Sequence, residues 1–456
     1  MPDDATETLI MLSLRCLLLC CILLLPFNLL WAAPAASSSN LLLEDVYLFD
    51  GQSAERSQHR VHVLVRNGLI EQISRTPITP DDNLTVIAGE GRTLMPGLID
   101  AHWHSTLVKP SSVQALTADI AYIHLLAGVV GDATLMRGFT SVRDMGGPSF
   151  GLRRAIEEGL VTGPRIFPSG AMISQTGGHG DFRLPHEVPS ASNAPLSYPD
   201  RVGVTAIADG SDAVLKRTRE QLMLGATQIK LMAGGGVSSM YDPLDVTQYT
   251  PDELRAAVMA AENWGTYVAV HAYTSRAVSM ALEAGVRSIE HGQLVDEDTV
   301  RLMARKEAWW SLQPFIDNEL SNPKTGPSRL KQQMVQQGTD RAFALAKKHN
   351  VKVAFGTDML GAGNLGDNQN ALLVSMQRWY SPGEVLQIAT GNNGALIALA
   401  GPRYPLAGPL GVLVEGAVAD MLLVEGDPTA DLSLIADPEQ NFRLIIKNGR
   451  IYKNSL

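Results

Sequence analysis

Between residues 96 and 399 the sequence alternates short apolar runs with longer amphipathic stretches. Eight of the runs have the length and composition of buried strands: GLIDAHWH, TSVRDMG, RIFPSGA, TQIKLMAG, YVAVHAY, RSIEHG, AWWSLQP and VKVAFGTD. Helical periodicity is clearest in three segments: 212–224, 251–264 and 327–349. Strands that alternate with helices in this way build parallel sheets. We therefore predict an α/β protein in which residues 96–399 form a catalytic (β/α)8 TIM barrel.

The two ends of the chain have a different pattern from its middle. Both read as short strands joined by turns, and Asn-Gly pairs at Asn67 and Asn448 are typical of β-hairpins. Similar β-rich ends around a different middle indicate that the ends fold together. We predict that residues 37–95 and 400–456 combine in one small β-sandwich domain.

The first 36 residues have the layout of a secretory signal peptide: an arginine, a long apolar run and then small residues. We expect cleavage near Ala33 to Ala36, which would make the mature protein periplasmic or secreted. The alternative is that the apolar run is retained as a membrane anchor. Acidic residues close to Met1 do not suit a signal peptide, so we expect translation to start at Met11. The cysteines of the chain all lie in this leader: Cys16, Cys20 and Cys21.

Composition excludes some classes of protein. Hydrophobic residues make up 45% of the chain and charged residues 18%, which is typical of a well-buried globular protein. The formal net charge is −10 and the sequence contains no basic run, so we predict no nucleic-acid partner. A mature protein without cysteine would have neither disulfides nor thiolate ligands.

Six side chains that can bind metal close, or nearly close, five of the predicted strands. They are His102, His104, Lys230, His271, His291 and Asp358. The carboxyl ends of the strands in a parallel barrel meet at one mouth, so these side chains should converge there. Imidazole nitrogens with a carboxylate oxygen suit Zn²⁺, although Mn²⁺ and Co²⁺ fit the same mixed set. We therefore predict a catalytic metal site in which Asp358 also acts as general base.

Each of these residues also has a purely structural interpretation. A lone histidine at a strand end is often a satisfied core residue, and an aspartate there can cap the following segment. A buried Lys230 requires either an ion pair or a neutral amine that takes up CO₂ as a carbamate able to bridge two cations. The residues alone leave both interpretations of the lysine open. Histidines at consecutive predicted strand ends favour a shared site.

The motifs DAHWH, QIKLMAGGG, HAY, EHG and GTD resemble those of the amidohydrolase superfamily. The resemblance extends from PGLIDAH to GAVADMLLVEGDP and KNGRI, so it covers essentially the whole mature chain. Within that superfamily, QIKLMAGGG and SQTGGHGD are similar to a branch that contains Xaa-Pro dipeptidases, Xaa-Arg/Lys carboxypeptidases and ochratoxin-type amidases.

This resemblance implies a role for each predicted ligand. Two divalent metal ions, expected to be Zn²⁺, would be held by His102, His104 and Asp358 on one side and by His271 and His291 on the other, with Lys230 between them. A CO₂-derived carbamate on Lys230 and a hydroxide would bridge the two ions. Asp358 would accept the proton of the hydroxide and pass it to the leaving amine.

Three further residues are candidates for contact with the substrate. Tyr241 and His179 are candidates for both catalysis and substrate binding. Tyr241 would stabilise the oxyanion, and His179 would bind the C-terminal carboxylate or carbonyl of the substrate; ordinary loop positions are the alternative for both. Tyr273 lies two residues after His271 and should face the same side of its strand. The polar segment 180–208 has no periodicity, and we predict a loop over the site.

The predicted reaction is cleavage of a peptide or N-acyl amide bond to release a C-terminal amino acid, through the metal-bridging hydroxide. Small peptides or N-acyl amino acids are the expected substrates, and the relatives imply a homo-oligomer. Hydrolysis of a cyclic amide, as by imidazolonepropionases, or of a lactone is an alternative on the same ligands. A non-catalytic binding protein on a retained barrel is a further alternative. The residues do not fix the preferred C-terminal amino acid.

Overall fold

The structure, a computed structural model, describes residues 40–191, 194–239 and 241–456. Residues Ser37–Leu456 form one compact unit. The predicted leader, with its cleavage site and the start at Met11, lies outside the described residues. Among those residues, no helix has both the length and the apolar character needed to span a membrane.

Strands at both chain ends and throughout the middle form three sheets among the described residues. In chain order they are β1 (Leu41–Leu48), β2 (Val61–Arg66), β3 (Leu69–Ser74), β4 (Thr85–Ala88), β5 (Thr93–Pro96), β6 (Leu98–Trp103), β7 (Phe139–Asp144), β8 (Arg165–Pro168), β9 (Met172–Ser174), β10 (Thr205–Ile207), β11 (Ile229–Met232), β12 (Val268–Thr274), β13 (Ser288–Leu294), β14 (Trp309–Leu312), β15 (Lys352–Phe355), β16 (Met421–Val424), β17 (Phe442–Lys447) and β18 (Arg450–Asn454).

Helices lie mainly between the strands of the middle region. In chain order they are α1 (Ser112–Thr117), α2 (Ile120–Met136), α3 (Phe150–Glu157), α4 (Tyr198–Arg201), α5 (Ser211–Met223), α6 (Pro251–Asn263), α7 (Ser275–Glu283), α8 (Glu297–Arg305), α9 (Gly326–Lys348), α10 (Gln369–Ser375), α11 (Pro382–Gln387), α12 (Asn393–Ala398), α13 (Ser433–Ala436) and α14 (Pro438–Asn441). Short 3-10 turns cover Pro185–Glu187, Glu319–Ser321, Gly363–Asn368, Met376–Arg378 and Gly401–Arg403, and a π-helical turn covers Ile388–Asn392.

Two parallel sheets occupy the middle of the chain. The larger has the strand order β10-β9-β11-β12-β13-β14-β15 and the smaller β6-β7-β8, and every pairing in them is parallel. Their strands read as continuous apolar runs because they are covered on both faces. All eight predicted strands are present, and the three predicted helices α5, α6 and α9 begin and end within one residue of the expected positions. The predicted α/β class is therefore confirmed.

Backbone hydrogen bonds join the two parallel sheets at both of their borders. The amide of Thr227, ahead of β11, donates to the carbonyl of Pro168 in β8 over 2.8 Å. On the other side the amide of Asp358, which follows β15, donates to the carbonyl of His102 in β6 over 2.8 Å. The ends of β6 and β15 are thereby held next to each other.

Asn393, at the start of α12, strengthens the border between β6 and β15. Its Nδ2 donates to the carbonyls of Ile99 and Phe355 over 2.7 and 2.8 Å, and its Oδ1 accepts from the amide of Phe355 over 3.0 Å. Gly356 lies so close to β6 that a Cβ there would overlap the Cβ of His102. Only glycine permits this approach of the two strands.

The third sheet combines strands from both ends of the chain in the order β18-β17-β16-β5-β1-β2-β3, with β4 beside β1. Strand β1 has a bulge with a positive φ of 59° at Asp45, and pairs with β4 before it and β5 after it. The β2–β3 and β17–β18 hairpins turn at Asn67 and Asn448, both with positive φ, as the Asn-Gly pairs predicted. This sheet supports the predicted composite domain of residues 37–95 and 400–456, whose limits and sandwich form stay predictions.

The segment 180–208 is more ordered than its sequence indicated. It contains a 3-10 turn at Pro185–Glu187, helix α4 and strand β10, which pairs in parallel with β9. The prediction of a loop throughout is therefore wrong at its C-terminal end. Strand β10 has only three residues, too few for a recognisable periodicity.

Candidate metal centre

The structure brings all six predicted ligands into one cleft. The cleft encloses about 910 Å³ including its open mouth, which is within the usual range of ligand sites. Five of the six side chains lie in or directly after strands β6, β11, β12 and β13 and are at most 3% exposed: His102, His104, Lys230, His271 and His291. Asp358, after β15, is half-buried.

Asp358 lies at the centre of the group. Its Oδ1 is 3.3 Å from Nε2 of His102 and 3.3 Å from Nε2 of His104. Nζ of Lys230 lies 3.4 Å from Nε2 of His102. Potential ligand atoms of His102, His291 and Asp358 all lie within 4.8 Å of one another, a spacing that can hold a metal ion.

The two histidines of the β6 end each use one ring nitrogen on a neighbouring protein group. Nδ1 of His102 lies 2.8 Å from Oε2 of Glu290, and Nδ1 of His104 lies 2.9 Å from the carbonyl oxygen of Gly146. Each acceptor fixes a proton on Nδ1 and leaves the lone pair on Nε2. Metal-binding histidines usually have such an outer hydrogen bond.

The other two histidines follow the same rule. Nε2 of His271 donates to the carbonyl of Gly235 over 3.1 Å, so its free nitrogen is Nδ1. Nδ1 of His291 lies 2.7 Å from Oε1 of Gln313, so its free nitrogen is Nε2. The four imidazoles therefore have the outer hydrogen bond that is usual for metal-binding histidines.

Glu290 and Arg143 form a buried ion pair behind His102. The Arg143 guanidinium donates to Oε1 of Glu290 over 2.6 Å, and both side chains are fully buried. Burial alone would raise the pKa of Glu290, but Arg143 and His102 hold it well below its usual range. Sequence reasoning missed both residues, although a charged residue inside the apolar runs TSVRDMG and RSIEHG was a usable signal, because a buried charge needs a partner.

The protonation states suit a metal. Burial lowers the pKa of His102 to about 4 and that of His291 to about 3, so both rings are neutral near pH 7. Burial would raise the pKa of Asp358, but His102 and His104 outweigh it and keep the carboxylate ionised. Burial also lowers the pKa of Lys230 to about 8. Neutral imidazoles and an ionised carboxylate are the forms that bind metal ions.

His291 and Asp358 adopt backbone conformations that are uncommon for residues other than glycine. Their φ angles are 76° and 53°, in the left-handed region. Such conformations are costly for residues with a side chain, and they cluster at functional sites. Two of the six candidate ligands thus carry local strain.

Of the three predicted substrate residues, His179 and Tyr273 line the cleft. The ring of His179 stacks on that of His271 at a centroid distance of 4.1 Å, and its Nδ1 lies 3.2 Å from the carboxylate of Asp242. Tyr273 stacks on His291 at 5.0 Å, and its hydroxyl has no hydrogen-bond partner among the described residues.

Tyr241 is not among the residues that line the cleft. Its side chain is 40% exposed, and its hydroxyl donates to the carbonyl of Arg183 over 2.9 Å. The loop that carries it is fixed by Lys331, whose Nζ donates to the carbonyls of Gly236 and Asp242 over 3.1 and 2.7 Å. The structure therefore does not bring Tyr241 together with the six candidate ligands.

Comparison with known proteins identifies the family. Residues 93–452 match the amidohydrolase family. The chain belongs to the amidohydrolase family. Membership of this family supports hydrolase activity, and the members of the family are typically metal-dependent.

The chain is similar to an ochratoxinase, a prolidase and a Xaa-Pro dipeptidase. Ochratoxinase of Aspergillus niger is 31% identical to this amidohydrolase over 382 residues, which cover 79% of this chain and 75% of the relative. The structure of a prolidase complexed with N-methylphosphonate-L-proline is 34% identical, with a TM-score of 0.82, and covers 91% of this chain and 100% of its own. A Xaa-Pro dipeptidase with methionine bound in its active site is 29% identical, with a TM-score of 0.77 and the same coverage. The predicted superfamily and branch are thereby confirmed.

Proposed function

We propose that the protein is a metal-dependent amidohydrolase that cleaves a peptide or N-acyl amide bond and releases a C-terminal amino acid. One observation carries the proposal: four buried histidines each direct one ring nitrogen to a protein acceptor, and all four line the cleft that contains Asp358. The similarity to ochratoxinase, to a prolidase with a proline phosphonate and to a Xaa-Pro dipeptidase with bound methionine supports this type of substrate.

The donor set fits two divalent ions, and nitrogen and oxygen donors favour Zn²⁺. His102, His104 and Asp358 would hold one ion, and His271 and His291 the other. Lys230 would serve both as a carbamate, because its buried amine loses its proton more easily than an exposed one. Divalent ions here would polarise the scissile carbonyl and lower the pKa of an attacking water.

The chain's own groups move the proton and orient the substrate. Asp358 is ionised and accepts the proton of the attacking water, then delivers it to the leaving nitrogen, because an amide nitrogen leaves only when protonated. Tyr273 presents a free hydroxyl in the cleft and can donate to the scissile carbonyl. Tyr241 takes this role only if its hydroxyl leaves the carbonyl of Arg183. His179 has Nε2 left for the substrate.

We also propose that the two parallel sheets form one closed (β/α)8 barrel. Its strands would be β6, β7, β8 with β9, β11, β12, β13, β14 and β15. The hydrogen bonds from Thr227 to Pro168 and from Asp358 to His102 support closure at both borders. In such a barrel the metal ligands share the mouth at the carboxyl ends of the strands.

The proposal is tested by measuring the metal content of the purified full chain and its hydrolysis of candidate substrates. After loading with Zn²⁺, Mn²⁺ or Co²⁺, we expect two metal equivalents and hydrolysis of members of a panel of dipeptides and N-acyl amino acids. Asp358→Asn should lower kcat/KM at least about 1,000-fold, because it removes the base and a ligand together. Asp367→Asn, the same change at an exposed carboxylate, serves as the control. A protein with two bound metals that hydrolyses no member of the panel, or activity that survives complete chelation, refutes the proposal.

A further inference from the structure

Lys324 is one of the cationic side chains that line the cleft. Its side chain is half-buried and lines the cleft, and none of the described residues forms an ion pair or a side-chain hydrogen bond with its ammonium group. Burial lowers the pKa of Lys324, and the charge of Asp358 counters this only in part. A half-buried ammonium has lost part of its hydration, so an anionic ligand in the cleft would be favourable beside it.

Hydrogen bonds to the backbone around Lys324 fix the position of this residue. Gln332 of α9 is 7% exposed and holds the segment at two points: its Oε1 accepts from the amide of Lys324 over 3.0 Å, and its Nε2 donates to the carbonyl of Asn322 over 3.2 Å. Nδ2 of Asn322 lies 3.4 Å from the carbonyl of Leu360, in the segment that follows Asp358. The lysine is therefore held in the cleft by specific hydrogen bonds of its backbone segment.

The charges of the cleft favour an anionic substrate over a cationic one. Among the described residues that line it, Asp358 is the single carboxylate, and it is one of the proposed metal ligands. Much of the remaining wall is apolar: Phe315, Leu320, Val335, Met359, Leu360 and Leu372. A guanidinium or ammonium on the substrate would find no free acidic partner here.

We propose that Lys324 binds the free α-carboxylate of the substrate and that the apolar wall beside it selects an apolar C-terminal residue. This deepens the proposed function and rests on it for the position of the scissile bond. The carboxylate pairs with the ammonium, the side chain of the released residue lies on the apolar wall, and the amide on its nitrogen reaches the metal ligands. Gln332 acts as a positioning residue for the lysine.

The kinetic test uses zinc-loaded protein and N-acetyl-L-phenylalanine. Lys324→Met should raise KM about 10- to 100-fold with little change in kcat, because a charge-assisted contact of this kind is lost in substrate and transition state alike. Lys324→Arg should restore most of the affinity. Lys109→Met is the matched control, since Lys109 lies outside the lining of the cleft and pairs with Asp367.

Binding of the reaction product separates this inference from the proposed function. Calorimetry with L-phenylalanine and L-phenylalaninol, which lacks the carboxylate, should give at least about a 10-fold preference for the acid in wild type and none in Lys324→Met. An unchanged preference in the variant, or none in wild type, overturns the role of Lys324. A lysine-dependent preference in a protein that hydrolyses no amide refutes the proposed function alone. Cleavage of N-acetyl-L-arginine as fast as N-acetyl-L-phenylalanine overturns the apolar selection.

Discussion

Nδ1 of His102 lies 2.8 Å from Oε2 of Glu290, the residue directly before His291 in the chain. Consecutive residues of a strand normally face opposite sides, yet both Glu290 and His291 reach the same centre. The left-handed backbone of His291, with φ of 76°, allows this departure from alternation. Strand β13 thus supplies a candidate ligand together with the carboxylate that orients a ligand from β6.

Glu290→Gln should weaken metal binding. The amide has the shape of the carboxylate but lacks the charge that orients His102 and pairs with Arg143. We expect metal affinity and kcat/KM to fall about 10- to 100-fold, as is usual for partners of ligating histidines. Metal analysis after dialysis and steady-state kinetics measure both. Glu283→Gln, at an exposed glutamate paired with Lys306, should change neither, and wild-type metal content in Glu290→Gln would contradict the role.

Lys230→Ala should lose at least one metal equivalent and the hydrolytic activity. The substitution removes the amine that would carry the carbamate, so short-chain carboxylic acids added to the variant should restore part of both. Elemental analysis with and without added acid is the measurement. A variant that keeps two metals without any added acid would exclude Lys230 as a bridging ligand.

Gly356→Ala should destabilise the protein and disturb the metal centre. A Cβ at this position would overlap the Cβ of His102, and the neighbouring backbone cannot yield as a flexible side chain would. We expect a loss of about 1 to 3 kcal/mol in the free energy of unfolding, together with weaker metal binding. Gly128→Ala is the control, because a Cβ there makes only an ordinary contact 3.8 Å from Val161. Equal stability of the two variants would argue against close packing of β6 on β15.

Lys447 should make stability depend on pH in the alkaline range. Burial, followed by the charge of Arg165, lowers the pKa of Lys447 to about 8 in the folded state, against 10.5 for the free side chain. Between these values the unfolded chain binds more protons, so the free energy of unfolding rises with pH.

Urea unfolding of wild type and Lys447→Met from pH 7 to pH 10 isolates this effect. The stability of wild type relative to the variant should increase by roughly 2 kcal/mol over that range. Lys352→Met, at an exposed lysine, should give a constant difference. A flat difference for Lys447→Met would mean that its ammonium is not desolvated.

The sequence was sufficient to predict the candidate ligands, because the same arrangement of a strand with a functional residue at its end is repeated along the chain. Each candidate ligand closes or nearly closes an apolar run, and parallel pairing of those runs brings their ends to one cleft. The position of His102 therefore follows from a local pattern, without knowledge of any individual contact. The same holds for the hairpin turn at Asn67, where the residue type fixes the backbone conformation.

Residues placed by loops were not predictable in this way. Lys324 reaches the cleft because Gln332 holds its backbone, and Tyr241 lies apart because Lys331 fixes its loop, so each depends on contacts with α9 that no periodicity encodes. Glu290 and Arg143 were missed for another reason. Each is a charged residue inside an apolar run, and the strand pattern does not indicate which group neutralises that charge.

The pairing of β5 with β16 has a consequence for the order in which this chain can fold. Strand β5 directly precedes β6, which carries the first candidate ligands, but its partner at residues 421–424 is more than 300 positions later. A growing chain that has reached Asp358 already contains every candidate ligand and still has β5 with one unpaired edge. Strand β16 must be synthesised before β5 can be paired on both edges, so stalled or C-terminally shortened products would expose that edge to association.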